Sequence, residues 1–185
     1  MDRREILKLS GAILGYTIVG GTAAAVLTGC KSDVNAMPAD LDLFDQSTYD
    51  LIVDVTERII PKTDTPGAKD ANVVSYVHSR LKNFATEEER TSMMEALKQF
   101  DSKAEAKFGK TYNNLPEGDK NEILTMMQAE ASKDGDHIFN KLKQETVVGF
   151  FTSEVGATEV LNFDPIPGAY NGCIDFAEGD TVWAL

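Results

Sequence analysis

Cysteine, histidine and tryptophan are nearly missing from this chain of 185 residues, which has two Cys, two His and one Trp. So few cysteines cannot build a disulfide framework. Cys-x-x-Cys-His, Gly-x-Gly-x-x-Gly and the phosphate loop do not occur, so covalent haem and dinucleotides lack their usual holders on this chain. His78 lies four residues after Val74 and three before Leu81 and reads as a satisfied histidine at the edge of a core. Asp134-x-x-His137 has a ligand-like spacing, but Gly135 intervenes and the Glu-x-x-His pairs of di-iron bundles do not occur, so no metal is expected. Thr152 and Ser153 have no nearby His or basic residue to activate them. Basic residues are also short, 18 Lys and Arg against 30 Asp and Glu, for a net charge of −12. That balance repels nucleic-acid phosphates and anionic lipid; it mostly serves solubility, with a partner bearing a basic face as the alternative.

The N-terminal stretch dictates how the rest is read. Asp2-Arg3-Arg4-Glu5-Ile6-Leu7-Lys8 resembles a twin-arginine export signal, and Leu27-Thr28-Gly29-Cys30 resembles a bacterial lipobox. Between them lies an apolar segment with glycines at 11, 15, 20 and 21. Two readings of it stand. Either residues 1–29 are removed and Cys30 takes the lipid as the first residue, or the segment stays as an uncleaved anchor. The register of the two signals favours lipidation, and both readings put the body outside the cytoplasm, on the periplasmic side. Loss of Arg3, Arg4 and Lys8 with Asp2 and Glu5 leaves a body with 15 basic and 28 acidic residues. Its 156 residues suit one domain. Cys173 is then the odd cysteine, with three readings: an intermolecular bridge, a free thiol or a buried inert thiol.

Residues 30–46 are polar and small and read as a tether, with the domain expected over 47–185. Ser47, with Asp50 three residues on, is the expected N-cap of a first helix carrying Tyr49, Ile52, Val53, Thr56, Ile59 and Ile60 on its apolar side, and Pro61 ends it. A second helix is expected from about Lys69 to Phe84, its inner face formed by Val73, Val74, Val77, Leu81 and Phe84. Thr86 to Glu89 reads as a capping box opening a third helix, whose stripe runs Met93, Leu97, Phe100, Ala104 and Phe108 to a stop at Gly109. Pro116 is expected at the first position of a fourth helix with Ile123, Leu124, Met127 and Ala131 inside. Phe139, Leu142, Thr146 and Phe150 line a fifth, reaching about Thr152. No strand alternation is convincing, so the fold class is all-α: a compact bundle of about five amphipathic helices. A helical turn over 157–161 and an extended tail rich in Pro and Gly follow. Trp183 there is either a docked apolar anchor or local packing.

Three segments together resemble the gluconate 2-dehydrogenase subunit 3 family. They are Ile59-Ile60-Pro61 with Thr63-Asp64-Thr65-Pro66-Gly67-Ala68, then Phe150-Phe151-Thr152-Ser153-Glu154-Val155-Gly156, then Pro165-x-Pro167-Gly168-x-Tyr170-x-Gly172. The resemblance extends from about Ser47 to Cys173. It implies a small non-catalytic subunit that accompanies a large FAD-dependent oxidoreductase of the glucose-methanol-choline type, acting on a sugar or sugar acid. A multihaem cytochrome c commonly completes such complexes, so FAD and haem c are expected on partners and no cofactor on this chain. A lipid on Cys30 departs from a simple cleaved signal and implies a membrane anchor supplied by this subunit itself. The irregular segments are the expected partner surface: Thr63, Asp64, Thr65, Pro66, Gly67, Ser153, Glu154, Gly156, Pro167, Gly168 and Tyr170, with Cys173 placed for an intersubunit disulfide. A free-standing envelope lipoprotein, a binding or structural module without an enzyme partner, is the alternative.

Overall fold

A computed structural model describes residues 37–166, 168, 173 and 175–184. Arg3, Arg4, Cys30 and the apolar segment between them lie outside the described residues, as do Pro167 and Tyr170. The described compact unit begins at Pro38.

Helix α1 is Gln46–Ile59, and its N-cap is Asp45, whose carboxylate accepts from Thr48 N at 2.7 Å. Ser47 was the expected cap; it lies inside the first turn, where Asn113 Nδ2 donates to its carbonyl and hydroxyl oxygens. The chain arrives extended at Asp45 after a turn closed by Leu41 N to Pro38 O and Phe44 N to Leu41 O, so the aspartate meets the free N–H groups first. Leu41 and Phe44 are buried, 2% and 4% exposed. The core therefore starts before Ser47, inside what the composition presented as tether. The buried face of α1 is Leu51, Ile52, Val55 and Thr56. Tyr49, Val53, Ile59 and Ile60 are half-buried, because α2, α5 and the turn at Tyr112 cover α1 from a slightly rotated direction. Ile60, extended before Pro61, ends the helix as expected.

Helix α2 is Val73–Asn83, shorter at both ends than the periodicity suggests. Asn72 sits in the left-handed region at φ 50°, which breaks any continuation from Lys69. Phe84 is the C-cap and has left helical geometry, so it points away from the inner face and is 82% exposed. Helix α3, Glu87–Phe108, opens with the full capping box between Thr86 and Glu89 and stops at Gly109 with φ 68°. Met93, Leu97, Phe100 and Ala104 are buried and Phe108 half-buried. A 3-10 turn at Tyr112–Asn114 leads to α4, Glu117–Ala131, with Pro116 just ahead of the first helical residue and Ile123, Met127 and Ala131 buried. Helix α5 is Ile138–Phe151. Its N-cap is His137, whose Nδ1 accepts from Phe139 N, and it buries Ile138, Phe139, Leu142, Thr146, Gly149 and Phe150.

α5 contacts all four other helices, so the core lies around it. Among the described residues there is no strand, only an isolated parallel bridge between Asn162 and Trp183. None of the described helices is long and apolar enough to cross a membrane.

Candidate functional site

The loop after α1 has a fixed shape because α1 itself supplies its clamp. Glu57 reaches past the helix end, and its two oxygens accept from Lys62 N at 2.9 Å and Lys69 N at 2.8 Å. Ala68 N closes the loop on Ile60 O, and Asp70 accepts from Gly67 N and pairs with Lys62. The Gly67 N–H, with the Lys62 ammonium second, holds the Asp70 carboxyl below its ordinary range. A Cβ on Gly67 would stand 2.5 Å from a Glu57 oxygen and 2.6 Å from Lys62 N, so only glycine fits inside the clamp. Thr63, Asp64 and Thr65 are presented at the exposed tip, with Pro66 half-buried behind them.

The turn after α5 is tighter. Ser153 Oγ donates to Phe150 O at 2.6 Å and accepts from Gly156 N at 3.0 Å, relaying the last carbonyl of the helix to the next turn. A Cβ on Gly156 would lie 2.0 Å from Phe150 O, closer than any atom pair tolerates. Residues Gly156–Val160 continue as a π-helical turn, where a plain helical turn was expected one residue later. Ser153 and Gly156 are thus structural, while Glu154 is exposed. In the tail, Gly168 and Cys173 are exposed and Cys173 carries a free thiol, which excludes the buried-thiol reading. Trp183 is 52% exposed and stands at the isolated bridge to Asn162. Among the described residues no hydrogen bond or ion pair joins the 63–68 loop to the 152–156 turn or to the tail.

A polar cluster escaped the sequence reading. Asp54, on the flank of α1, accepts from Arg58 Nε at 2.7 Å, from the Tyr112 hydroxyl at 2.8 Å and from Lys120 at 3.2 Å. Arg58 continues to Asn121 at 2.7 Å and to Glu117, so the cluster ties α1 to α4 and to the Tyr112 turn. Burial pushes the Asp54 carboxyl up, but the hydrogen bonds from Arg58 and Tyr112 outweigh it and the pKa ends below its usual value. Tyr112 is fully buried, and burial first, with the Asp54 charge second, drives its phenol well above the normal range. The spacing Asp54-x-x-x-Arg58 was visible, but nothing local announces that Tyr112 and Lys120 would converge on it.

Both histidines are engaged in the framework. His78 is buried, with Nε2 3.2 Å from Asp42 Oδ1 and 3.3 Å from Leu43 N, and its ring meets Phe44 edge-on. His137 caps α5 and faces Glu130. Among the described residues no three His, Cys, Asp or Glu side chains gather as a metal site. A groove of about 920 Å³ runs between α2, α3 and α5, where Arg80 pairs with Glu145 at 2.9 Å. Burial raises the Glu145 pKa, more than Arg80 lowers it.

The model of the family described as gluconate 2-dehydrogenase subunit 3 matches residues 46–168. The chain belongs to this family. No curated protein and no solved structure matches it. As a subunit 3 family member it is an accessory subunit of a dehydrogenase complex. The matched span holds all five helices, the Glu57-clamped loop and the Ser153 turn, and it ends at Gly168, before Tyr170, Cys173 and Trp183.

Proposed function

We propose that this subunit escorts and anchors a large FAD-dependent sugar or sugar-acid dehydrogenase of the glucose-methanol-choline type in the cell envelope, with FAD on that partner and haem c on a cytochrome subunit. The family match over residues 46–168 carries the reading. The twin-arginine-like Arg3-Arg4 supports export, since that route accepts proteins folded beforehand, as a flavoprotein holding its cofactor must be. The lipobox-like Leu27-Thr28-Gly29-Cys30 supports a diacylglyceryl anchor on the periplasmic side, each buried methylene adding about 0.8 kcal/mol. The partner surface in this reading comprises the 63–68 loop tip, the exposed Glu154 and the tail, with the exposed Cys173 available for a bridge to a partner cysteine.

The test uses the whole complex. Arg3→Lys with Arg4→Lys keeps the charge but removes the planar guanidinium groups. It is expected to lower the envelope level of both this chain and the flavin-bearing large subunit by roughly tenfold or more. Wild-type levels of the flavoprotein in the envelope overturn the escort role. Cys30→Ala is expected to move the chain to the soluble or unprocessed fraction. Intact mass without acyl groups on the wild-type protein's Cys30 overturns the anchor.

A further inference from the structure

Eight of the nine large apolar side chains that stand exposed in the described residues fall between Val147 and Trp183, and only Phe84 lies elsewhere. Phe163 and Trp183 are each 52% exposed, Phe176 65% and Ile166 83%. Asn162 draws the chain end back, donating to Val182 O and accepting from Ala184 N, both at 2.9 Å, which pairs Trp183 with Asn162 one residue from Phe163. Charge is as uneven. After Lys143 the sequence contains no Lys, Arg or His, while Glu154, Glu159, Asp164, Asp175, Glu178 and Asp180 are acidic. Exposed apolar side chains gathered in one stretch of the chain mark an interaction site, and their one-signed surroundings select the occupant. A second copy would set acidic border against acidic border, and an anionic bilayer would repel it.

We propose that the exposed apolar side chains Phe151, Phe163, Ile166, Phe176, Val182 and Trp183, with their acidic surroundings, form the docking surface for the large flavoprotein subunit, on an apolar patch of that partner ringed by Lys and Arg. The proposal rests on the accessory-subunit reading and moves the weight of the interface from the 63–68 loop to the tail. Aromatic anchors supply most of the affinity of such interfaces, and the charged rim sets rate and orientation.

The experiment co-expresses the tagged full-length chain with the large flavoprotein subunit and reads bound flavin by absorbance and affinity by titration at 50 and 500 mM salt. The wild type is expected to retain the flavoprotein; failure to do so overturns the accessory-subunit reading itself. Phe163→Ser with Trp183→Ser is expected to weaken binding by about 30-fold or more, with helical circular dichroism and Tm unchanged because both side chains already stand in solvent. Glu159→Lys with Glu178→Lys is expected to weaken it at 50 mM salt but not at 500 mM, where screening removes the contribution. The equal charge change Glu95→Lys with Glu105→Lys, on the exposed side of α3, is expected to do neither. If the flavoprotein binds wild type and the double-serine variant within about threefold, or if the α3 reversals act like the tail reversals, the proposal is overturned. A wild-type chain that dimerises alone, and loses the dimer in the double-serine variant, assigns the surface to a second copy instead.

Discussion

Gly156→Ala is expected to destabilise the domain by about 3 kcal/mol or more, the upper end for forcing atoms into a packed site, and to lower Tm on the order of 10 °C. The added methyl would occupy the space of Phe150 O, and that carbonyl cannot swing away because Ser153 N and Oγ both hold it. Relief requires unwinding the end of α5, which exposes Phe150. Gly67→Ala is expected to cost less, about 2 kcal/mol, since its overlaps with the Glu57 carboxylate and Lys62 N, at 2.5 and 2.6 Å, are milder than the 2.0 Å at Gly156. Gly168→Ala, with nothing within 4 Å, is expected to leave stability unchanged. Thermal and urea unfolding of the three variants checks the order, and a neutral Gly156→Ala contradicts the turn geometry.

Removal of Asp54 is expected to be comparably damaging. Asp54→Ala leaves Arg58 and Lys120, whose side chains are 14% and 13% exposed, without their shared acceptor. Stripping one partner from a buried charge cluster costs about 3–5 kcal/mol. Asp54 itself is 24% exposed, so solvent screens part of this and about 3 kcal/mol is expected. Tyr112→Phe loses one hydrogen bond, about 1 kcal/mol, because Arg58 still satisfies Asp54.

The cluster also contributes to the pH dependence of the fold. The Asp54 pKa is lower in the folded chain than the unfolded value near 3.8, so its contribution is present above that value and lost as pH falls through the folded pKa. The Tyr112 pKa is raised from 10.0, so its contribution is present below pH 10 and declines as pH rises beyond it. Stability against urea should therefore fall at both extremes. Asp54→Ala should lessen the fall on the acid side, to which Asp42, Asp45, Asp70, Glu89 and Glu130 also contribute, and Tyr112→Phe should lessen it on the alkaline side. Unchanged pH profiles in both variants contradict the assignment.

What was legible in the sequence follows the range of the interactions. The capping box at Thr86 and the stops at Gly109 and Pro61 are local chemistry and stand where periodicity and turn residues put them. The interiors of α3 and α5 read correctly for the same reason. The failures are tertiary. Ser47 loses the cap to Asp45 because the preceding turn fixes how the chain enters the helix. Phe84 leaves the core because α2 ends one residue too soon to carry it inward. Leu41 and Phe44 are too sparse to show a period, yet they fill the core beside His78. The resemblance reached the right family through three short segments in order, two of which hold Gly67 and Gly156 in steric roles. Tyr112 lay in a turn, and its 58-residue separation from Asp54 left no local trace of their bond.

The contact of α5 with every other helix has a consequence in time. A ribosome adds about 5–20 residues per second, so Arg3 and Arg4 leave it roughly 7–30 s before Phe151 does. Until then, whatever part of α1 to α4 has emerged lacks the helix it packs against, and the side chains it would bury face water. The domain cannot close stepwise from its N-terminus. Any N-terminal address is therefore readable long before there is a folded body behind it, and a carrier that tests foldedness has to wait for the chain to finish.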